Sequence, residues 1–315
     1  MYFPFLRGKQ FELIALREIS GIIAGQNHIS PIIEPVKKKT TTYTKTIGIL
    51  QKSNINFTII INPFIGDIKD DIDYVCSNFL PPLSYENFQI GVIVHNRTDL
   101  NYIAEKLTEL GLSKQPITII LASIYDENFD DLLSFIGDFD VKHVVLGSQV
   151  RSRRKIVRGL MKVSNSLISL FDPYNKLSRN KDYASEPDEF FSEEHLYFLE
   201  EGYKGYSDFL TIGREYTDKG YSPYAVAIHL TYFSNEVFRI HHFVSDSNED
   251  TSDVGGKFAE ALDKLIPFID DENLHTLASD EFRRLNDEGK YPGLGTVKKL
   301  SILNHLELIH NYFSK

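Results

Sequence analysis

Two carboxylates and a histidine stand in or directly after short apolar runs: Glu34 in the run 31–36, Asp172 after the run 166–171, and His229 in the run 224–231. Such a set can pass protons to and from water, or hold a divalent cation such as Mg2+. Cations suited to a bound phosphate lie elsewhere. They are Arg7 and Lys9 in Leu6-Arg7-Gly8-Lys9-Gln10, Arg153 in the basic stretch 151–162, and Lys298 and Lys299 near the end. Thr296 and the glycines of Pro292-Gly293-Leu294-Gly295-Thr296 open a helix whose exposed amides can receive an anion. Asp246 and Asp250, in the oxygen-rich stretch 245–253, are candidate ligands of a hard divalent ion. That stretch lacks the EF-hand spacing, and caps and turns account for the same composition.

Each candidate has a plainer reading beside it. A polar strand end is usually a solvated rim, and a histidine in an apolar run is as readily a core residue satisfied by a neighbour. Winding 151–163 at 100° per residue puts Ile156, Val157, Leu160, Met161 and Val163 on one side. Arg151, Arg154, Lys155, Arg158 and Lys162 fall opposite, as on any amphipathic helix. Arg153 falls with the apolar stripe, where it can grip an anion or pair with the acidic stretch 182–201. GxGxxG, GxxxxGK[ST], HExxH and GxSxG are all absent. The single cysteine, Cys76, excludes internal disulfides and a cysteine cage for zinc, and it reads as a core residue.

The elements that must position these residues follow from the apolar pattern. Runs at 31–36, 57–62, 89–94, 117–121, 141–146, 166–171, 208–212 and 224–231 are rich in β-branched residues and nearly continuous, as strands buried on both faces are. Helical patterns at 42–53, 68–79, 98–111, 127–137 and 151–163 alternate with them. Eight strands close a ring, so the pattern predicts an α/β fold, a TIM-like (β/α) barrel with an additional β-hairpin and C-terminal helices. An open doubly wound α/β sheet is the competing arrangement. The expected division is 1–250 as the barrel-like domain, with an N-terminal helix and a long acidic insertion at 173–207, and 251–315 as C-terminal helices packed on it. In a barrel the loops after the strands gather at one end, which would collect Glu34, Asp172 and His229 at the mouth. On that expectation, substituting Glu34 or His229 abolishes activity and leaves the melting temperature almost unchanged.

With 42% hydrophobic and 25% charged residues the 315-residue chain can fill a sizeable core, which excludes a mainly disordered protein. A net charge of -10 argues against coating nucleic acid by bulk attraction and leaves room for a local basic site. No apolar run approaches the roughly 18 residues of a membrane span. The first residues lack the pattern of a signal peptide, so a cytoplasmic location and no membrane partner are expected.

Several stretches carry a resemblance: Arg7-Gly8-Lys9-Gln10-Phe11-Glu12, Pro31-Ile32-Ile33-Glu34-Pro35, Phe57-Thr58-Ile59-Ile60-Ile61-Asn62-Pro63, Ser207-Asp208-Phe209-Leu210-Thr211-Ile212-Gly213, His242-Phe243-Val244-Ser245-Asp246-Ser247-Asn248 and Pro292-Gly293-Leu294-Gly295-Thr296. Along nearly its whole length the chain resembles the "beta protein" family of bacteriophage and bacterial proteins, in its bacterial branch. That resemblance brings no catalytic residues; it implies a setting of mobile elements and anti-phage (antiviral) defence. Together with the residues it leads to one main expectation: a protein that binds or hydrolyses a phosphate-containing ligand, a nucleotide or nucleic-acid end, at the barrel mouth, in the manner of a phosphodiesterase or nuclease. The alternative is a non-catalytic module of a multi-protein defence system. It would hold a protein partner encoded nearby or sense a phage component, through aromatics exposed on 183–206 or 255–315. A third reading is a structural or immunity-type protein with no small ligand.

Overall fold

Isoleucine- and valine-rich runs become parallel strands because both of their faces are covered, and the shortest of them are buried at every position. The computed structural model describes residues 1–82, 85–124, 126–217 and 222–315. Its strands are β1 (Phe5–Leu6), β2 (Ile32–Ile33), β3 (Phe57–Ile60), β4 (Phe88–Val94), β5 (Ile117–Leu121), β6 (Val141–Leu146), β7 (Leu167–Leu170), β8 (Asp188–Ser192), β9 (Gly205–Ser207), β10 (Ala227–Ser234) and β11 (Val237–Val244). Its helices are α1 (Gln10–Ile23), α2 (Thr41–Lys52), α3 (Ile72–Phe79), α4 (Leu100–Glu109), α5 (Phe129–Asp138), α6 (Ser148–Arg151), α7 (Arg154–Val163), α8 (Glu194–Tyr197), α9 (Val254–Asp271), α10 (Leu277–Asp287) and α11 (Leu294–Phe313).

The chain forms two compact units that interleave along the sequence. The first holds Met1–Gln10, Ser20–Asp172 and Glu194–Asp208; the second holds Phe11–Ile19, Pro173–Glu193 and Phe209–Lys315. The first unit is the expected (β/α) barrel. Its eight parallel strands run in the order β1-β2-β3-β4-β5-β6-β7-β9, and helices surround them. The ring closes across residues 2–5. Tyr2 bridges to Ile29 on one side and Tyr206 on the other. The Phe3 amide donates to the Tyr206 carbonyl at 2.8 Å and the Phe5 amide to the Asp208 carbonyl at 2.9 Å. Under the seam, the Tyr2 hydroxyl donates to Asp208 Oδ1 at 2.6 Å. A side chain at Gly205 would come within 2.4 Å of the Met1 carbonyl, so the seam depends on a glycine there.

Two of the eight expected ring strands are therefore different segments. Residues 208–212 are not a strand: Leu210 takes a positive φ of 52° and the chain turns through a short 3-10 segment. Residues 224–231 lead into β10, which belongs to the second unit. There β10, β11 and β8 form an antiparallel sheet in the order β10-β11-β8. The hairpin turns on Asn235 and Glu236, both at positive φ (51° and 66°), the conformation that matches strand twist in a two-residue turn.

α11 packs along β10 and is buried almost all round. Its polar residues are paired: Asn304 donates to the Thr231 carbonyl at 2.7 Å and accepts from Thr276 at 2.9 Å, and Glu307 accepts the Leu277 amide at 2.8 Å. Buried polar groups that find partners fix the helix in one register instead of penalising its burial. Among the described residues no helix is long and apolar enough to cross a membrane.

Candidate functional site

In the barrel unit, the loops after β1, β2 and β3 meet at Glu34. Its carboxylate is 0% exposed, pairs with the Arg7 guanidinium through one oxygen, and accepts the Phe64 amide through the other at 2.7 Å. Glu34 is thus an anchor for the loop after β3, and its oxygens are engaged by protein groups. Asn62 ties the end of β3 to β4, donating to the Ile93 carbonyl at 2.8 Å and accepting its amide at 2.9 Å. Lys9 stands at the N-cap of α1, and Asp172 lies exposed beyond β7. Arg153 does not lean out to an anion: its guanidinium is held by the Ile124 carbonyl and the Asp126 carboxylate. The ion pairs expected with the acidic stretch are made by Arg151 instead, to Glu194 and Glu201, each at 3.2 Å.

His229 is a residue of the second unit's sheet and does not line the barrel wall. The face of β10 that carries Ala227 and His229 is covered by the aromatic turn at 174–183. On that face His229 is the direct cross-strand partner of His242, and their Nδ1 atoms lie 2.7 Å apart. His242 Nε2 lies 2.9 Å from Glu189 Oε1, on β8. Tyr183 packs on both imidazoles, with ring centroids at 4.7 and 4.5 Å, and its hydroxyl donates to Tyr174 at 3.0 Å. The result is a carboxylate–imidazole–imidazole line walled by tyrosines.

Hydrogen bonding assigns the protons along that line. Glu189 accepts, so His242 carries its proton on Nε2 and its Nδ1 is an acceptor; His229 then donates from Nδ1 and presents a lone pair on Nε2. Burial pushes His229 down to about 3, and the neighbouring His242 and Lys298 push the same way. Burial also lowers His242, against the opposing hydrogen bond that it donates to Glu189. Lys298, on the first turns of α11, shares this neighbourhood. Although it is partly exposed, burial lowers its ammonium below the usual lysine value, with Glu12 opposing the shift and Lys176 adding to it. Lys176 pairs with Glu215 at 3.2 Å. Lys298 is thus the cation in the electrostatic neighbourhood of the neutral His229 imidazole.

The remaining candidates are structural. Lys299 pairs with Glu18 at 2.8 Å, and the Thr296 amide is used by the Gly293 carbonyl inside the first turn of α11. Asp246 pairs with Lys264 at 2.6 Å, and Asp250 accepts the Ser252 amide at 2.8 Å and pairs with Lys257 at 3.3 Å. Asp253 caps α9 through the Gly256 amide at 2.9 Å. Among the described residues, no three His, Cys, Asp or Glu side chains are placed together to hold a metal ion. Capping and turn formation account for this stretch.

Residue type and spacing alone do not point to Glu189, His242 or Tyr183 as site residues. A signal for His242 was present, because in a hairpin with a two-residue turn the paired positions sum to a constant. Ser234 opposite Val237 fixes His229 opposite His242. No protein-family model, curated protein or solved structure matches this chain.

Proposed function

We propose that the protein binds and hydrolyses a phosphate-containing ligand, a nucleotide or nucleic-acid end, with His229 as the general base. The observation that carries this reading is the Glu189–His242–His229 line with Lys298 in its electrostatic neighbourhood. Water gives its proton to His229 Nε2 as its oxygen forms a new bond to phosphorus. The bond from phosphorus to the leaving alkoxide breaks, and the proton on His229 goes to that alkoxide. His242 and Glu189 orient His229 and spread the transient positive charge, as a carboxylate does behind a catalytic imidazole. Lys298 offsets the charge that gathers on the phosphoryl oxygens. An imidazole held near 3 is neutral at pH 7, so it is in the form a base needs, and an arriving anion raises its proton affinity.

The resemblance to the beta protein family supports conflict with phages or mobile elements as the setting of this activity. The test is a titration of inorganic phosphate by calorimetry and an assay of bis(p-nitrophenyl) phosphate hydrolysis. Lys298→Ala is expected to weaken phosphate binding about 10-fold, the loss of one hydrogen bond to a charged group. Equal affinity in Lys298→Ala and wild type, with no hydrolysis in either, overturns the reading.

A partner-binding module is the second reading, and one observation favours it. Leu199 is 64% exposed beside exposed Tyr197, in a turn whose Gly202 abuts exposed Met161 on α7. Neighbouring exposed apolar side chains of this kind mark interaction surfaces.

A further inference from the structure

Phe64 is the one phenylalanine that the barrel unit leaves largely in solvent among the described residues, 44% exposed, and it is held there firmly. Its amide is fixed to the fully buried Glu34, which Arg7 neutralises. The loop that follows is pinned back on β2's exit: the Asp67 amide donates to the Val36 carbonyl at 2.9 Å, and a Cβ at Gly66 would come within 2.2 Å of that same oxygen. A buried ion pair is costly to form, and here its effect is to hold an aromatic ring at the C-terminal end of the barrel strands, where barrel proteins bind their ligands.

The surroundings of the ring specify what it would take. The His95 ring lies 4.5 Å from it, tilted by 55°, and the Lys69 ammonium 4.8 Å from its centroid. His95 Nδ1 accepts the Arg97 amide at 3.2 Å, so its remaining ring proton sits on Nε2, available to an acceptor. Burial lowers His95, and Lys69 and Arg97 lower it further against Asp70, which places both cations near the imidazole. Arg97 is exposed, and Lys69 is half-exposed with only a long 3.9 Å pairing to Asp70. A flat apolar ring, a neutral donor and two cations on two adjacent loops fit a planar heteroaromatic group that carries negative charge. We infer that the Phe64–His95 pair is a stacking platform for the nucleobase of a nucleotide, with Lys69 and Arg97 for its phosphate. This inference rests on the reading that the protein takes a nucleotide, and it places in the barrel unit a nucleotide site separate from the His229 line of the second unit.

The chain contains no tryptophan, so Phe64→Trp places the only tryptophan of the protein at the platform, where it can be excited selectively at wavelengths tyrosine does not absorb. Titrating this variant with the four common nucleoside 5'-monophosphates is expected to give saturable quenching with at least one of them, and ribose 5-phosphate none. Calorimetry on Phe64→Ala is expected to show about 10-fold weaker nucleotide binding with ribose 5-phosphate binding unchanged, since one base–aromatic stack is worth on the order of that factor. If the nucleotides and ribose 5-phosphate bind with equal affinity and Phe64→Ala changes neither, the stacking platform is wrong and the phosphate reading stands. If none of these compounds binds, both fail. Quenching of Phe64→Trp without any loss in Phe64→Ala also counts against the platform, because the ring then contributes no affinity.

Discussion

Arg7→Met is expected to destabilise the barrel unit by about 3–5 kcal/mol, because it leaves the Glu34 carboxylate buried without its counter-charge. For a chain of this size that is a fall in melting temperature of roughly 10 °C. Glu34→Gln retains an acceptor for the Phe64 amide, so its cost is smaller, about 1–3 kcal/mol. Combining Arg7→Met with Glu34→Leu is expected to recover much of the loss, since removing both members of a buried pair is often close to neutral. Differential scanning calorimetry of the three variants checks the set, and an Arg7→Met protein that melts with the wild type refutes the anchor. This reverses the expectation from sequence that Glu34 can be replaced at no cost in stability. The residue type suggested an acid; its complete burial makes it a structural pin.

His229→Gln is expected to lower hydrolysis of bis(p-nitrophenyl) phosphate by about 100-fold or more, the usual contribution of a positioned base. The same substitution changes the acid stability of the fold, in the opposite direction. His229 is held near 3, below the roughly 6.5 of an unfolded histidine, so below pH 6.5 the unfolded chain binds a proton that the folded chain refuses. Stability therefore falls as the pH drops from 6.5, by about 2 kcal/mol at pH 5 from this group. His143, pushed down to about 4 by burial with Lys142 adding, acts in the same direction in the barrel. Urea denaturation at pH 7 and pH 5 should show a smaller difference for His229→Gln than for wild type. Equal differences in the two proteins contradict the buried neutral imidazole.

Much of the barrel is legible in the sequence, because β3, β4, β5 and β7 are nearly continuous apolar runs, as strands covered on both faces are. The two strands at the seam were not. β1 spans Phe5–Leu6 and β9 spans Gly205–Ser207, too short to show a period, and they are held by backbone bonds to residues far apart in the chain. Residues 224–231 looked like a barrel strand because an apolar run carries no record of whether its neighbour will be parallel or antiparallel. Arg7, Glu34, Lys298 and His229 were found by type, and their roles then separated by environment: the first two neutralise each other, the last two share an electrostatic neighbourhood. Glu189 was hidden among the acidic residues of 182–201, where composition gives no reason to prefer one carboxylate over another.

The most direct measurement is a pH titration of 15N-histidine-labelled protein by long-range 1H–15N correlation, with and without inorganic phosphate. His229 is expected to remain a neutral imidazole protonated on Nδ1 from pH 8 to pH 5, and to shift its proton affinity upward when phosphate is added, while His143 stays unchanged. A His229 that titrates near 6.5 and does not respond to phosphate contradicts its role as the base of an anion site.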